Sequence, residues 1–216
     1  MALKTMTTQS QREHTLQIAE PSVRQIIAKA RSKPVRPPAG GAWILGMTAA
    51  LLFWASFTPL DWGPLGWVAL VPLVLLVRIP QRTALMYTAV YASGLINALA
   101  TLQWMRLGHP TMYVAWVALS IYMAMYFPVF VALSRVAVHR YRVPLTLAVP
   151  VIWVGLEFVR AHLMTGFSWY YLAHTQHRWI GLIQISDVTG AYGVSFLLRL
   201  PPPFWPSWFR LRSLPG

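Results

Sequence analysis

"PLTLAVPVIWVGLEFVRAHL", residues 144–163, decides the kind of fold that this chain can adopt. An apolar run of this length matches the roughly 20 residues that an α-helix needs to cross a bilayer core. Glu157 and Arg160 stand three residues apart in it, so they can share one helix face and lower each other's cost of leaving water. The stretch therefore predicts a membrane-spanning helix whose charged pair marks the end that leaves the bilayer.

The composition of the whole chain is that of an integral membrane protein. Hydrophobic residues make up 56% of its 216 residues, charged residues only 11%, and 11 residues are Trp. The net charge of +13 falls in tails and short polar gaps, which argues against nucleic acid and favours anionic lipid headgroups at the cytoplasmic face. The sequence holds no Cys, which excludes a cysteine nucleophile and thiolate metal ligands from these residues.

The expected fold is an all-α, polytopic transmembrane helical bundle of about five spans plus a truncated sixth. The short run at 62–78 is either a second span or a re-entrant piece, and Pro128 should kink the fourth span. The apolar stretch from Val188 to Leu198 would cross only half of the hydrocarbon core. The five candidate spans are 41–60, 62–78, 83–105, 111–134 and 144–163.

Three regions follow from these runs. Residues 1–40 form a basic cytoplasmic tail, residues 41–198 form the transmembrane helical domain, and residues 199–216 form a tail rich in Pro, Trp and Arg. The last region is expected to be disordered or foreign to the native sequence, because consecutive prolines cannot continue a helix. Lys and Arg are concentrated in alternate gaps, so the positive-inside rule places the N-terminus in the cytoplasm.

Several motifs, taken in order, resemble the membrane part of bacterial apolipoprotein N-acyltransferase. They are "FTPLDWGPLGWVALVPLV" (57–74), the series Pro150, Trp153, Glu157 and Arg160, "TGFSW" (165–169), Gln176, and "IQISDVTGAYGVSFLL" (183–198). The resemblance implies a bacterial inner-membrane enzyme that moves an acyl chain from a phospholipid to the free α-amino group of the lipidated N-terminal cysteine of lipoproteins. Phospholipid and the lipoprotein N-terminus are the partners that it implies.

The resemblance also implies that the catalytic Glu, Lys and Cys belong to a nitrilase-like domain on the outer face. This sequence lacks that domain, so no catalytic residue is assigned, no cofactor is expected, and the chain alone is expected to be inactive. Ser168 departs from the usual Pro of the family, and Ala173 with His174 departs from a usual Gly and aromatic residue.

Five residues are candidate positions for binding substrate, at a lipid headgroup or at the membrane interface: Glu157, Arg160, Gly166, Trp169 and Gln176. The charged pair either fixes the helix end against its neighbours, or Arg160 holds a lipid phosphate at the mouth of the active site. Trp169, with the two tyrosines that follow it, is either an interfacial aromatic belt or part of a substrate site.

Two other chemistries find little support in the sequence. His162, His174 and His177 are joined by no carboxylate or Cys that would complete a metal site, so no metal is predicted. Ser168, His174 and Asp187 lack the glycine pattern of a nucleophile elbow. The alternative from another class is a non-enzymatic polytopic membrane protein, such as a small transporter or an assembly partner, although no internal repeat supports a transporter.

Overall fold

The computed structural model of the chain describes residues 39–79, 84–163 and 166–200. All regular structure in these ranges is helical, which confirms the predicted all-α bundle. Most of the two predicted tails, at residues 1–38 and 201–216, lies outside the described residues. The α-helices in the described ranges are α1 (Ala39–Ser56), α2 (Val71–Arg78), α3 (Ala84–Thr101), α4 (Met112–Ala124), α5 (Tyr126–His139), α6 (Leu145–His162), α7 (Ile180–Ile183) and α8 (Ser186–Arg199).

Three helical stretches in the described residues are long and apolar enough to cross a membrane: α3, the pair α4 and α5 taken together, and α6. Helix α6 agrees with the predicted span at 144–163 to within one residue at each end. The apolar part of α1, Gly40–Ser56, is slightly shorter and reaches about 26 Å at 1.5 Å per residue. Four of the expected runs are therefore helices near the length of a bilayer core.

The fourth run is interrupted at Met125, between α4 and α5. Pro128 explains the interruption, because it has no N–H to donate to the carbonyl of Ala124, four residues earlier. Gly94 of α3 packs against this point, where a Cβ atom would lie only 2.9 Å from the Ala124 carbonyl oxygen. The small residues of α3 thus allow close helix packing.

The run at 62–78 does not form a continuous span. It divides into a 3-10 turn, Gly63–Trp67, and the eight-residue helix α2, which Pro72 enters in its first turn, where a missing N–H costs nothing. We refer to residues 63–78 as the broken segment. Its interruption leaves backbone carbonyls without helical partners inside an apolar domain, where such groups are costly.

Side chains of α5 satisfy the carbonyls at the end of α2. The guanidinium of Arg135 donates through Nη1 to the carbonyl oxygen of Leu76 at 3.0 Å and also to that of Ile79. The ring Nε2 of His139 lies 2.8 Å from the carbonyl oxygen of Val77. A cation at this position also interacts favourably with the negative end of the helix dipole.

Two later parts of the chain satisfy the 3-10 turn. The amide Nε2 of Gln176 donates to the carbonyl oxygen of Gly63 at 2.7 Å, and Arg199 donates through Nη2 to that of Gly66 at 2.9 Å. The indole of Trp67 donates in turn to Oε1 of Gln176 at 3.1 Å. The broken segment is therefore held at both ends by polar side chains from other helices and loops.

Helix α8 packs against α6 and returns into the bundle. Gly190 interrupts it with φ 63° and ψ −171°, a backbone conformation that favours glycine. The nine residues after Gly190 reach about 14 Å at 1.5 Å per residue, about half of the hydrocarbon core, as the sequence predicts. Arg199, which the sequence assigns to the C-terminal tail, is the last residue of this helix, and its side chain is buried.

Candidate functional site

Glu157 lies in α6 with only 2% of its surface exposed. Its Oε1 accepts hydrogen bonds from the indole N–H of Trp153 and from the backbone N–H of Leu172, both at 2.9 Å. Ser195 of α8 lies beside the carboxylate, and its hydroxyl accepts a hydrogen bond from the backbone N–H of Ala173 at 3.1 Å. Glu157 therefore joins α6 to the loop that follows it, next to α8.

Arg160 lies one turn further along α6 and is 6% exposed. Its Nη2 donates to the carbonyl oxygen of Tyr170 at 3.2 Å. The guanidinium also lies over the rings of Tyr171, at 5.1 Å from the centroid, and Tyr126, at 5.8 Å. Aromatic faces replace part of the solvation that this cation loses on burial.

The expected pairing of Glu157 with Arg160 is not a salt bridge. The ion pair found among the described residues joins Asp61 to Arg178 at 2.6 Å, and the ring of His177 lies 3.5 Å from the same carboxylate. Backbone groups of the following loop compete with a direct contact between the two side chains. The N–H of Leu172 donates to Glu157, and the carbonyl oxygen of Tyr170 accepts from Arg160. The two side chains interact through their charges without direct contact.

The loop after α6 has an unusual backbone at two positions. Gly166 has φ 77°, and a Cβ atom there would lie 2.4 Å from the carbonyl oxygen of Ala161, so glycine is required. Tyr170 has φ 58°, which is uncommon for a residue with a bulky side chain. Its hydroxyl donates to the carbonyl oxygen of Thr101 at 3.1 Å, and its ring packs edge-on against Phe57. These contacts tie the loop to the ends of α1 and α3.

Trp169 is the exposed member of the predicted set, with 54% of its surface open. Its ring stacks on that of Trp104 with centroids 4.9 Å apart, and Phe167 lies 6.2 Å away. Trp104 is itself exposed, so the two indoles form an open aromatic surface. This geometry fits both predicted roles, an interfacial belt and a substrate contact.

A cavity of about 50 Å³ lies between α1, α3, the junction of α4 with α5, and α6. Its wall is largely apolar and aromatic, and it includes Arg160, Asn97 and Tyr170. Two buried polar atoms of this wall, Nε of Arg160 and Oδ1 of Asn97, have no hydrogen-bond partner among the described residues. Buried polar atoms are rarely left unpaired, so the cavity suits a ligand or water that offers oxygen to the guanidinium.

The structure brings four of the five predicted residues to the junction of α6 with its loop. Gly166 and Trp169 belong to the loop beside Arg160, and Glu157 fixes Leu172 within the same loop. Gln176 lies at the end of the loop, is fully buried and contacts the broken segment instead. Its contacts are those of a residue that holds the loop in place.

Two of the three histidines, His174 and His177, line one open depression with Asp61, and His162 lies apart from them at the end of α6. His162 contacts the carbonyl oxygen of Phe158 at 2.8 Å, whereas His177 lies beside Asp61. Partial burial and the positive charge of Arg160 both lower the pKa of His174 below its usual value. His174 is therefore neutral at pH 7 and adds no charge to the site.

Sequence reasoning missed three contributors to the site. Ser195 and Arg199 stand four residues apart on α8, and their spacing within an apolar run is the signal that could have marked an inward-facing polar face. Tyr126 faces Arg160 from α5, but nothing in its sequence neighbourhood distinguishes it from a lipid-facing tyrosine. Its hydroxyl lies 2.5 Å from that of Tyr122.

The fold and the site together define a helical membrane domain that buries the carboxylate of Glu157 and the guanidinium of Arg160 near the end of one span. Residues 49–200 match the family described as the apolipoprotein N-acyltransferase N-terminal domain. The chain belongs to this family, as the resemblance of its motifs predicts.

Individual relatives carry the same name. The chain is 38% identical over 159 residues to apolipoprotein N-acyltransferase of Rhodopirellula baltica, covering 69% of this chain and 28% of the relative. It is 35% identical over 167 residues to that of Geobacter metallireducens, covering 73% and 32%. For Chlorobaculum tepidum the identity is 29% over 182 residues, covering 81% and 32%. The chain thus matches about a third of the length of these relatives.

Proposed function

We propose that this chain is the membrane domain of an apolipoprotein N-acyltransferase and that it binds phospholipid beside Arg160. The reaction of the whole enzyme would transfer an acyl chain from phospholipid to the N-terminal α-amino group of the diacylglyceryl-cysteine of lipoproteins. The names of the relatives support this activity, and the helical bundle supports a membrane location. A location in the bacterial inner membrane, with the N-terminus in the cytoplasm, completes the proposal.

One observation carries the lipid-binding part of the proposal. The guanidinium of Arg160 is buried near the end of a membrane-spanning helix, lines a cavity, and has an Nε–H without a partner among the described residues. Arginine prefers phosphate oxygens as acceptors, and charge-assisted hydrogen bonds in a site shielded from water are strong. A phospholipid phosphate that reaches the cavity from the interface would supply the acceptor.

The test is phospholipid binding by the purified chain, measured by native mass spectrometry. Arg160→Gln removes the charge, and losing a charge-assisted hydrogen bond worth about 1.5–3 kcal/mol should weaken retention of phosphatidylglycerol roughly tenfold or more. Arg106→Gln is the matched control, because Arg106 is exposed and stacks over Trp116 away from the cavity. Its binding should equal that of the unchanged chain.

Near-ultraviolet circular dichroism of each variant shows whether its aromatic packing is intact. A folded Arg160→Gln variant that retains lipid as well as the unchanged chain would remove Arg160 from the lipid site. Folded variants that lose lipid equally at both positions would point to general attraction by positive charge instead.

We also propose that these residues alone do not catalyse acyl transfer, since the sequence contains no Cys to form a thioester. The purified chain, reconstituted with phospholipid and a diacylglyceryl-cysteine peptide, should yield no N-acylated peptide. Detection of that product by mass spectrometry would show that the described helices carry a catalytic centre of another chemistry.

A further inference from the structure

The segment that joins the loop to α8 exposes apolar side chains. Within residues 179–189, Val188 is 88% exposed and Ile180 is 68% exposed, whereas Leu182 is buried. The segment comprises the short helix α7, a turn and the start of α8, and it ends at the break at Gly190. We refer to residues 179–189 as the connecting segment.

The contacts between α8 and α6 show which end of α6 the connecting segment lies beside. Tyr192 lies 5.8 Å from Phe158, near the end of α6, whereas Arg199 lies 5.8 Å from the ring of Trp153, further inside the bundle. Helix α8 therefore runs antiparallel to α6, a helix that is long and apolar enough to span a membrane. The connecting segment therefore lies beside the end of α6, at the turn between two antiparallel helices.

The side chains of the connecting segment are those of a membrane interface. Trp179 lines an open depression together with Trp62 and Arg178, and tryptophan and arginine prefer the headgroup level. Exposed polar side chains, Gln184 and Asp187, alternate with the exposed apolar ones. A segment that exposes both kinds of side chain is suited to lie in the plane of the interface.

We propose that the connecting segment binds the bilayer surface, with Val188 and Ile180 in the acyl-chain region and Asp187 in water. Lipid is the occupant that the observations favour, because the segment continues directly into a helix that packs against a membrane-spanning one, and a Trp side chain anchors its start. Burial of Val188 and Ile180 in lipid removes apolar surface from water, which is the main driving force for interfacial binding.

The absence of Cys from the sequence makes a direct test possible, because a single introduced Cys is the only labelling site. Val188→Cys, Ile180→Cys and Asp187→Cys are each labelled with the environment-sensitive fluorophore NBD and reconstituted into nanodiscs of phosphatidylcholine and phosphatidylglycerol. Labels at 188 and 180 should emit at shorter wavelength than the label at 187. Acyl-chain spin-labelled phosphatidylcholine should quench them, while iodide in the buffer should quench mainly the label at 187.

Two results would overturn the proposal. Iodide quenching at 188 and 180 as strong as at 187 would place the whole segment in water. A shift to shorter wavelength without quenching by the spin-labelled lipid would show that a second copy of the chain covers these residues. Two apolar positions are measured, so loss of folding in one variant leaves the test intact.

Discussion

Glu157 shows how a single carboxylate can organise the end of a membrane-spanning helix. It receives hydrogen bonds from the indole of Trp153 in its own helix and from the backbone of Leu172 in the loop. Because the site is buried, both hydrogen bonds contribute strongly to stability. A donor left unpaired in this environment would keep the full free-energy cost of its desolvation. The residue positions the loop that carries Trp169, and through Tyr170 the loop contacts Arg160.

Glu157→Ala should destabilise the domain by about 2–4 kcal/mol, because it leaves two buried donors without an acceptor. Glu157→Gln keeps a carbonyl oxygen at the same place and should cost less than half as much. The measurement is unfolding in dodecyl sulfate, followed by tryptophan fluorescence, together with amide exchange at Leu172. Exchange at Leu172 should accelerate strongly in the Ala variant and only slightly in the Gln variant.

Equal stability of the two variants would contradict this account, since it would mean that the negative charge, rather than the hydrogen bonds, determines the contribution of Glu157. Unchanged exchange at Leu172 in the Ala variant would show that other contacts hold the loop.

At the scale of elements, the broken segment is the feature that most distinguishes this domain from a simple bundle. Its carbonyl groups end inside the protein, where Arg135 and His139 satisfy one end and Gln176 and Arg199 the other. Irregular backbone at membrane depth requires such partners. The burial of Arg135 and Arg199 thus has a structural explanation that the sequence pattern alone does not supply.

Arg135→Leu should lower the free energy of unfolding by about 2–3 kcal/mol, since it removes charge-assisted hydrogen bonds to the carbonyls at the end of α2. Arg140→Leu is the control, because Arg140 is an exposed residue just beyond the end of the same helix. Thermal unfolding of both variants in detergent measures the difference. A stability of Arg135→Leu equal to that of the control would show that the end of α2 reaches solvent instead.

The elements that could be predicted from the sequence are those whose cause is local. Helix α6 follows from the length of one apolar run, and the break near Met125 follows from Pro128. The sequence leaves open whether the run at 62–78 is a span or a re-entrant piece, because the contacts that hold its divided form come from side chains far along the chain. Likewise, the spacing of Glu157 and Arg160 permits a salt bridge between them. The spacing does not reveal that backbone groups of the loop bind each side chain instead.

For the whole molecule, the proposed orientation places the connection between α3 and α4 outside the cell and the connection between α5 and α6 in the cytoplasm. The distribution of Lys and Arg supports this arrangement, since Arg140 and Arg142 lie in the second connection. The candidate lipid site at the end of α6 would then face the outer leaflet.

Single-Cys variants test this orientation in intact cells. His109→Cys, in the first connection, should react with a membrane-impermeant maleimide, whereas Tyr141→Cys, in the second, should react only after permeabilisation, and both positions are exposed. The opposite pattern would reverse the orientation and place Arg160 toward the cytoplasmic leaflet.

The partners of the broken segment also impose an order on biosynthesis. Arg135 is 59 residues from Leu76, Gln176 is 113 residues from Gly63, and Arg199 is 133 residues from Gly66. A ribosome has therefore released residues 63–78 to the insertion machinery long before it has made the side chains that donate hydrogen bonds to their carbonyl groups. Until α8 emerges, the nascent chain must keep this stretch near water or bound to the machinery, because lipid provides no hydrogen-bond donors for its carbonyl groups. Residues of α8 thus complete the insertion of a segment that was synthesised more than a hundred residues earlier.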